Sequence, residues 1–149
     1  MNYWLFKSEP STYGIDHLAE DKVTAWTGVR NYQARNFMRD GMRKGDQGFF
    51  YHSSCEVPGI AGIVEVSEAA YPDVTQFNRK SQYYDSGATK DNPRWFNVDI
   101  RFVRKTRVVG LDELRSEKAL GKMQLLQRGN RLSITPVTQA EWGCILRLL

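Results

Sequence analysis

The chain has 149 residues, 41% hydrophobic and 26% charged, with 21 Lys+Arg against 17 Asp+Glu for a formal net charge of +4. These proportions belong to an ordinary folded domain and exclude a disordered or fibrous chain, and one domain over residues 1–149 is expected. No window approaches the ~20 apolar residues of a membrane helix, and no basic segment precedes an apolar run at the amino terminus, so no membrane association, no signal peptide and a cytoplasmic location are expected.

Residues 3–6 form an aromatic, β-prone run closed by Ser8-Glu9-Pro10, where proline cannot continue a ladder. A short helix is expected over 15–20, and residues 23–26 lead into a second helix from Val29 to Met38 or Arg39. In that helix Val29, Tyr32 or Gln33, and Phe37 recur every three to four positions, and Gly41 and Gly45 close it. Residues 47–52 and 59–66 read as two antiparallel strands around the turn-forming stretch 53–58. Residues 71–93 are rich in Asp, Asn, Ser, Gly and Tyr and form a long loop, a kind of segment that often carries function. Residues 96–103 alternate as a half-buried strand, 111–114 make a helical turn or two, and 131–134 a short strand. Thr138-x-x-Glu141 is a capping box for a last helix striped by Trp142, Ile145, Leu146 and Leu149. Strands interspersed with short helices, without regular β-α-β alternation, imply an α+β fold with a mostly antiparallel or barrel-like sheet.

The positive charge is uneven. Between Gly28 and Gly48, Arg30, Arg35, Arg39, Arg43 and Lys44 face two acids, and between Arg94 and Arg107 five basic residues face Asp99 alone. Two segments therefore hold the whole excess, either as a nucleic-acid-binding patch or as solvated faces of a helix and a strand.

No nucleophile stands beside a base in an interpretable motif. His17 falls on a short polar helix, and the His52-Ser53-Ser54-Cys55 loop holds two candidate ligands, which do not make a metal site. Cys55 and Cys144 lack C-x-x-C spacing, and phosphate-loop and dinucleotide fingerprints are missing, so no cofactor, metal or catalytic group is expected. Trp26 precedes the basic helix, and Trp95 lies at the edge of the long loop with Tyr83 and Tyr84 upstream. Aromatic rings beside arginines and amides are what a nucleobase pocket requires, although both tryptophans could equally serve a core.

Seven separated motifs, in order, resemble the EVE domain across almost the whole chain. They are Lys7-Ser8-Glu9-Pro10, Trp26-Thr27-Gly28-Val29-Arg30-Asn31-Tyr32-Gln33-Ala34-Arg35-Asn36, Phe49-Phe50-Tyr51-His52-Ser53, Pro58-Gly59-Ile60-Ala61-Gly62, Ala70-Tyr71-Pro72-Asp73, Pro93-Arg94-Trp95 and Arg131-Leu132-Ser133. The resemblance implies a PUA-like fold, a curved and mostly antiparallel β-barrel with flanking helices, related to YTH readers of methylated adenine in RNA. It also implies a non-catalytic module holding a flipped, modified base, with modified cytosine in DNA as one ligand. On that reading Trp26 and Trp95 or Tyr84 stack on the base, while Asn31 and Ser53 reach its edge. Lys7, Ser8, Arg30, His52, Arg131 and Ser133 meet phosphate or sugar. A module for structured RNA, a free-nucleotide binder and an interaction protein with wholly buried tryptophans remain alternatives, and the oligomeric state is open.

Overall fold

Six strands assemble into one sheet in this computed structural model, which describes all 149 residues. They are β1 (Tyr3–Ser8), β2 (Val23–Ala25), β3 (Gln47–His52), β4 (Gly59–Pro72), β5 (Phe96–Gly110) and β6 (Ile134–Val137), in the order β2-β5-β4-β3-β1-β6. β1 runs parallel to β3 and every other pairing is antiparallel, so the first strand of the chain sits between the third and the last. The terminal strands β2 and β6 do not pair with each other, which leaves an open sheet where a closed barrel was expected. With three and four residues they are too short to seam it. Register shifts at four places along β4–β5 and one along β3–β4 bend and twist the long strands, as bulges do.

The sheet is buried on both faces, and the pleat sorts neighbouring residues between two cores. Trp4, Phe6 and Phe50 enter one with Ile15, Leu18, Val64 and Ile100, whereas Leu5, Phe49 and Tyr51 enter the other with Ile63, Trp142 and Ile145. This two-sided burial explains why residues 3–6 and 49–51 are unbroken apolar runs rather than alternating ones. Helices α1 (Pro10–Tyr13), α2 (Ile15–Asp21) and α3 (Tyr32–Asn36) lie on the first side, and α4 (Leu111–Arg115) and α5 (Gln139–Leu146) on the second. No helix is long and apolar enough to cross a membrane.

Several boundaries differ from the sequence expectation for identifiable reasons. The second helix starts at Tyr32 rather than Val29 because the Asn31 side chain accepts the Ala34 N–H at 3.0 Å, fixing Asn31 as its N-cap. Past Asn36 it widens into a π turn over Phe37–Gly41, closed by the Met42 N–H on the Phe37 carbonyl at 2.8 Å. β4 and β5 continue to Pro72 and Gly110, where Glu68, Ala69, Arg104 and Lys105 are exposed and give no alternation to read. The last strand is Ile134–Val137 rather than residues 131–134; it tolerates Pro136 because it is an edge. The α5 capping box forms as expected, with Glu141 N–H to Thr138 Oγ1 at 3.1 Å and Thr138 N–H to Glu141 Oε1 at 2.9 Å.

Candidate nucleic-acid interface

A cavity of about 680 Å³ opens between the carboxyl end of β1, helix α1, the end of β2 and the loop after β4. Of the residues expected at the site, Lys7, Ser8, Trp26, Arg30, Asn31 and Ser133 line it, joined by Thr12, Tyr13, Thr24, Thr27 and Tyr83.

Trp26 is placed by the backbone. Its N–H extends the β2–β5 ladder to the Val98 carbonyl at 2.8 Å, and the Thr27 N–H turns back to the Ala25 carbonyl at 3.0 Å. With no positive φ at Trp26, this is an inverse γ-turn centred on the tryptophan. The indole meets the buried rings of Phe6 (5.5 Å, 74°) and Phe50 (5.8 Å, 84°) in T-shaped contacts, and the half-buried residue keeps surface for the cavity.

Polar groups gather at the end of β1. The Lys7 N–H donates to the Ser133 carbonyl at 2.8 Å, which joins β1 to the segment before β6 at the cavity. Burial pulls the Lys7 ammonium below the ordinary lysine pKa, an electrostatic cost that an anion would offset. Ser8 Oγ donates to the Tyr13 carbonyl at 2.6 Å, which leaves its oxygen lone pairs as acceptors. Asn31 uses Oδ1 as the helix cap and retains Nδ2 as a donor.

Tyr83 enters the lining from residues 73–95, a segment held by buried side chains. The fully buried Gln76 amide donates to the carbonyls of Asp73 (2.8 Å) and Trp95 (2.7 Å) and accepts the N–H groups of Arg94 and Trp95 (both 2.9 Å). Asp85 accepts from the Trp95 indole at 2.7 Å and from Arg94 at 3.0 Å; with the Gly87 N–H, these hold its carboxyl below the ordinary range. Burial pushes the Asp73 carboxyl up, but hydrogen bonds from Thr75, Gly28 and Arg30 outweigh it and the net shift is downward. Gly28, at φ +84°, brings the backbone so close to Tyr83 that a Cβ would stand 2.7 Å from its ring.

The other expected residues lie elsewhere. Trp95, 6% exposed, stacks on Tyr32 at 4.9 Å and gives its indole N–H to Asp85, so it supports the wall from behind. Tyr84 points outside the lining while its neighbour Tyr83 enters it. The sequence had flagged the pair, but a coil without periodicity gives no parity with which to choose between them. His52 Nε2 accepts the Ile15 N–H at 3.1 Å, and burial lowers its pKa, so the imidazole is held neutral outside the cavity. The Ser53 N–H is tied to the Ser8 carbonyl at 2.9 Å without lining the cavity, and Arg131 is exposed before β6.

The two basic segments are largely neutralised. All six ion pairs of the structure take their cation from them: Arg30–Asp73, Arg39–Asp40, Arg94–Asp85, Arg101–Glu65, Lys105–Asp16 and Arg107–Glu113. Lys7 is the cavity-lining cation outside any ion pair.

Residues 2–148 match the EVE domain. Thymocyte nuclear protein 1 of Gallus gallus is 46% identical over 165 residues, covering 98% of this chain and 68% of the relative. A Pseudomonas putida crystal structure superposes with a TM-score of 0.94 at 48% identity, covering 98% of both chains. The crystal structure of human THYN1 protein in complex with 5-methylcytosine-containing DNA does so with a TM-score of 0.93 at 42% identity, covering 99% of this chain and 97% of that one. These relatives share the architecture described above, which is PUA-like, and in this chain the sheet is open rather than closed. From match length, identity and superposition alike, this chain belongs to the EVE domain family.

Proposed function

We propose that this protein, acting as a single domain, is a non-catalytic reader that takes a flipped, modified base of DNA, such as 5-methylcytosine, into the Trp26 cavity. The observation that carries the reading is a half-buried tryptophan facing a cavity with unused donors and acceptors, in a chain that superposes on a relative bound to 5-methylcytosine-containing DNA. At about 680 Å³ the cavity falls within the range of small-ligand sites. The extruded base stacks on the Trp26 indole, an interaction worth ~1–3 kcal/mol by alanine substitution. Unpairing and unstacking cost a few kcal/mol, which stacking and edge contacts offset. Asn31 Nδ2 and the Ser8 oxygen face the base edge, and the desolvated Lys7 ammonium meets the anionic backbone.

The side-chain chemistry supports binding without turnover. The Ser8 hydroxyl donates to a carbonyl instead of a base. Each imidazole accepts a backbone N–H: His17 Nδ1 from Gly14 at 2.8 Å, His52 Nε2 from Ile15 at 3.1 Å. Neither stands ready as a general base.

The test is a titration at ~0.15 M salt of matched DNA and RNA oligonucleotides carrying cytosine, 5-methylcytosine or 5-hydroxymethylcytosine. A modification-dependent gain above about tenfold, roughly 1.4 kcal/mol, is expected on DNA. Equal, weak, salt-sensitive binding throughout would overturn the reading.

A further inference from the structure

Arg30 lines the cavity, yet its guanidinium has no free donor. Nε and Nη2 donate to the Tyr83 carbonyl at 3.1 and 2.8 Å. Nη1 reaches the Val29 carbonyl at 3.0 Å and Asp73 Oδ2 at 3.2 Å, and Nη2 also reaches Thr75 Oγ1 at 2.9 Å. These five contacts match the five N–H groups an arginine possesses. Its Cζ also lies 5.4 Å from the Tyr83 ring centroid and 5.3 Å from that of Trp95, within cation–π range of both. A phosphate taken up by Arg30 would have to displace one of these contacts, to a fully buried carboxylate, a hydroxyl or a main-chain carbonyl, and forfeit a hydrogen bond already made.

We propose that Arg30 is a positioning residue that sets Tyr83 as the second aromatic wall of the base site, and that Tyr83 contributes to base selection. This rests on the base-reading role proposed above. Trp95 backs the guanidinium, the guanidinium grips the Tyr83 main chain, and Gly28 leaves room for the Tyr83 ring at the cavity. Discrimination between bases therefore depends on the planar fork of Arg30 and not on its charge. Lysine keeps the charge and lacks the fork.

The test compares wild type, Arg30→Lys, Arg30→Ala, Tyr83→Leu and the Arg30→Lys/Tyr83→Leu double variant. Affinity is measured for duplexes with cytosine or 5-methylcytosine between ~50 and 200 mM salt. Tyr83→Leu keeps the main-chain carbonyl that Arg30 grips, so it removes the ring without unfastening the loop. The expected result is that Arg30→Lys and Tyr83→Leu each lower the modified-to-unmodified affinity ratio about tenfold. The double variant loses no more than either single one, and the salt slope stays at the wild-type value. The proposal is overturned if Arg30→Lys keeps the wild-type ratio. It is equally overturned if Arg30→Ala reduces the slope of log K against log salt by about 0.9, the signature of one lost phosphate contact. Should Arg30→Lys fail to fold, Tyr83→Leu alone decides, since an unchanged ratio removes Tyr83 from the site. A wild type with equal affinity for both duplexes overturns the base-reading role itself, and Arg30 is then judged on the slope with unmodified DNA.

Discussion

Trp26 and Trp142 sit on opposite sides of the same sheet and are packed in opposite ways. Trp142 lies between Tyr3 (4.5 Å, 17°) and Phe49 (4.1 Å, 24°), with both indole faces covered and 5% exposure. Trp26 meets Phe6 and Phe50 at steep angles of 74° and 84° instead of stacking, stays half-buried and lines the cavity. Stacking on both faces commits a ring to stability, whereas a half-buried ring without a stacked partner has π surface left for a ligand. Geometry of contact, together with burial, separates the structural tryptophan from the one proposed to hold a base.

The largest effect should come from Trp142→Ala, which empties a sandwiched site and is expected to cost ~3–5 kcal/mol of stability by urea unfolding. Trp26→Ala should instead remove ~1–3 kcal/mol of binding to modified DNA with a smaller loss of stability. Equal unfolding midpoints for the two variants would break the comparison. Next is Gln76→Leu, which strands the Arg94 and Trp95 N–H groups and is expected to cost at least ~1–3 kcal/mol. Hydrogen exchange should accelerate across residues 73–95 and leave β1 and β3 protected.

The pH response gives a sharper, smaller signal. The folded state lowers the His52 pKa below its ordinary 6.5, so the unfolded chain binds more protons just below that value. Stability from this group is complete above 6.5 and is lost as pH falls through the folded value. Asp73 and Asp85 also have lowered values, but their stabilisation persists until pH falls below the ordinary carboxylate 3.8. Urea midpoints should therefore drop between pH 7 and 5, and His52→Gln, which retains an acceptor for the Ile15 N–H, should flatten that drop. Smallest is Thr138→Ala, which removes the α5 cap and should cost about 1 kcal/mol with base binding untouched.

Much of this architecture was legible in the residues. Aromatic runs marked β1 and β3, the capping box marked α5, and the motif around Trp26 located the cavity. What stayed hidden depends on partners distant in sequence. The extended halves of β4 and β5 pair chiefly with each other and show no alternation. The ion pairs that neutralise the basic segments join residues as distant as Asp16 and Lys105, so a count of charges overstated the patch. Arg30 reads as a phosphate ligand until the carbonyl of Tyr83 and the carboxylate of Asp73 are seen to occupy it. The choice between Tyr83 and Tyr84 required the coordinates of a coil.

The placement of β1 between β3 and β6 also constrains the order in which a ribosome can deliver a working protein. Tyr3 pairs with Val137, and the Lys7 N–H needs the Ser133 carbonyl, so the cavity lining joins residues far apart in the chain. A nascent chain that has not yet reached Ser133 carries the Trp26 motif without the full cavity lining. The complete cavity lining thus depends on contacts between segments far apart in the chain, which form only after the local structure around Trp26 has been made.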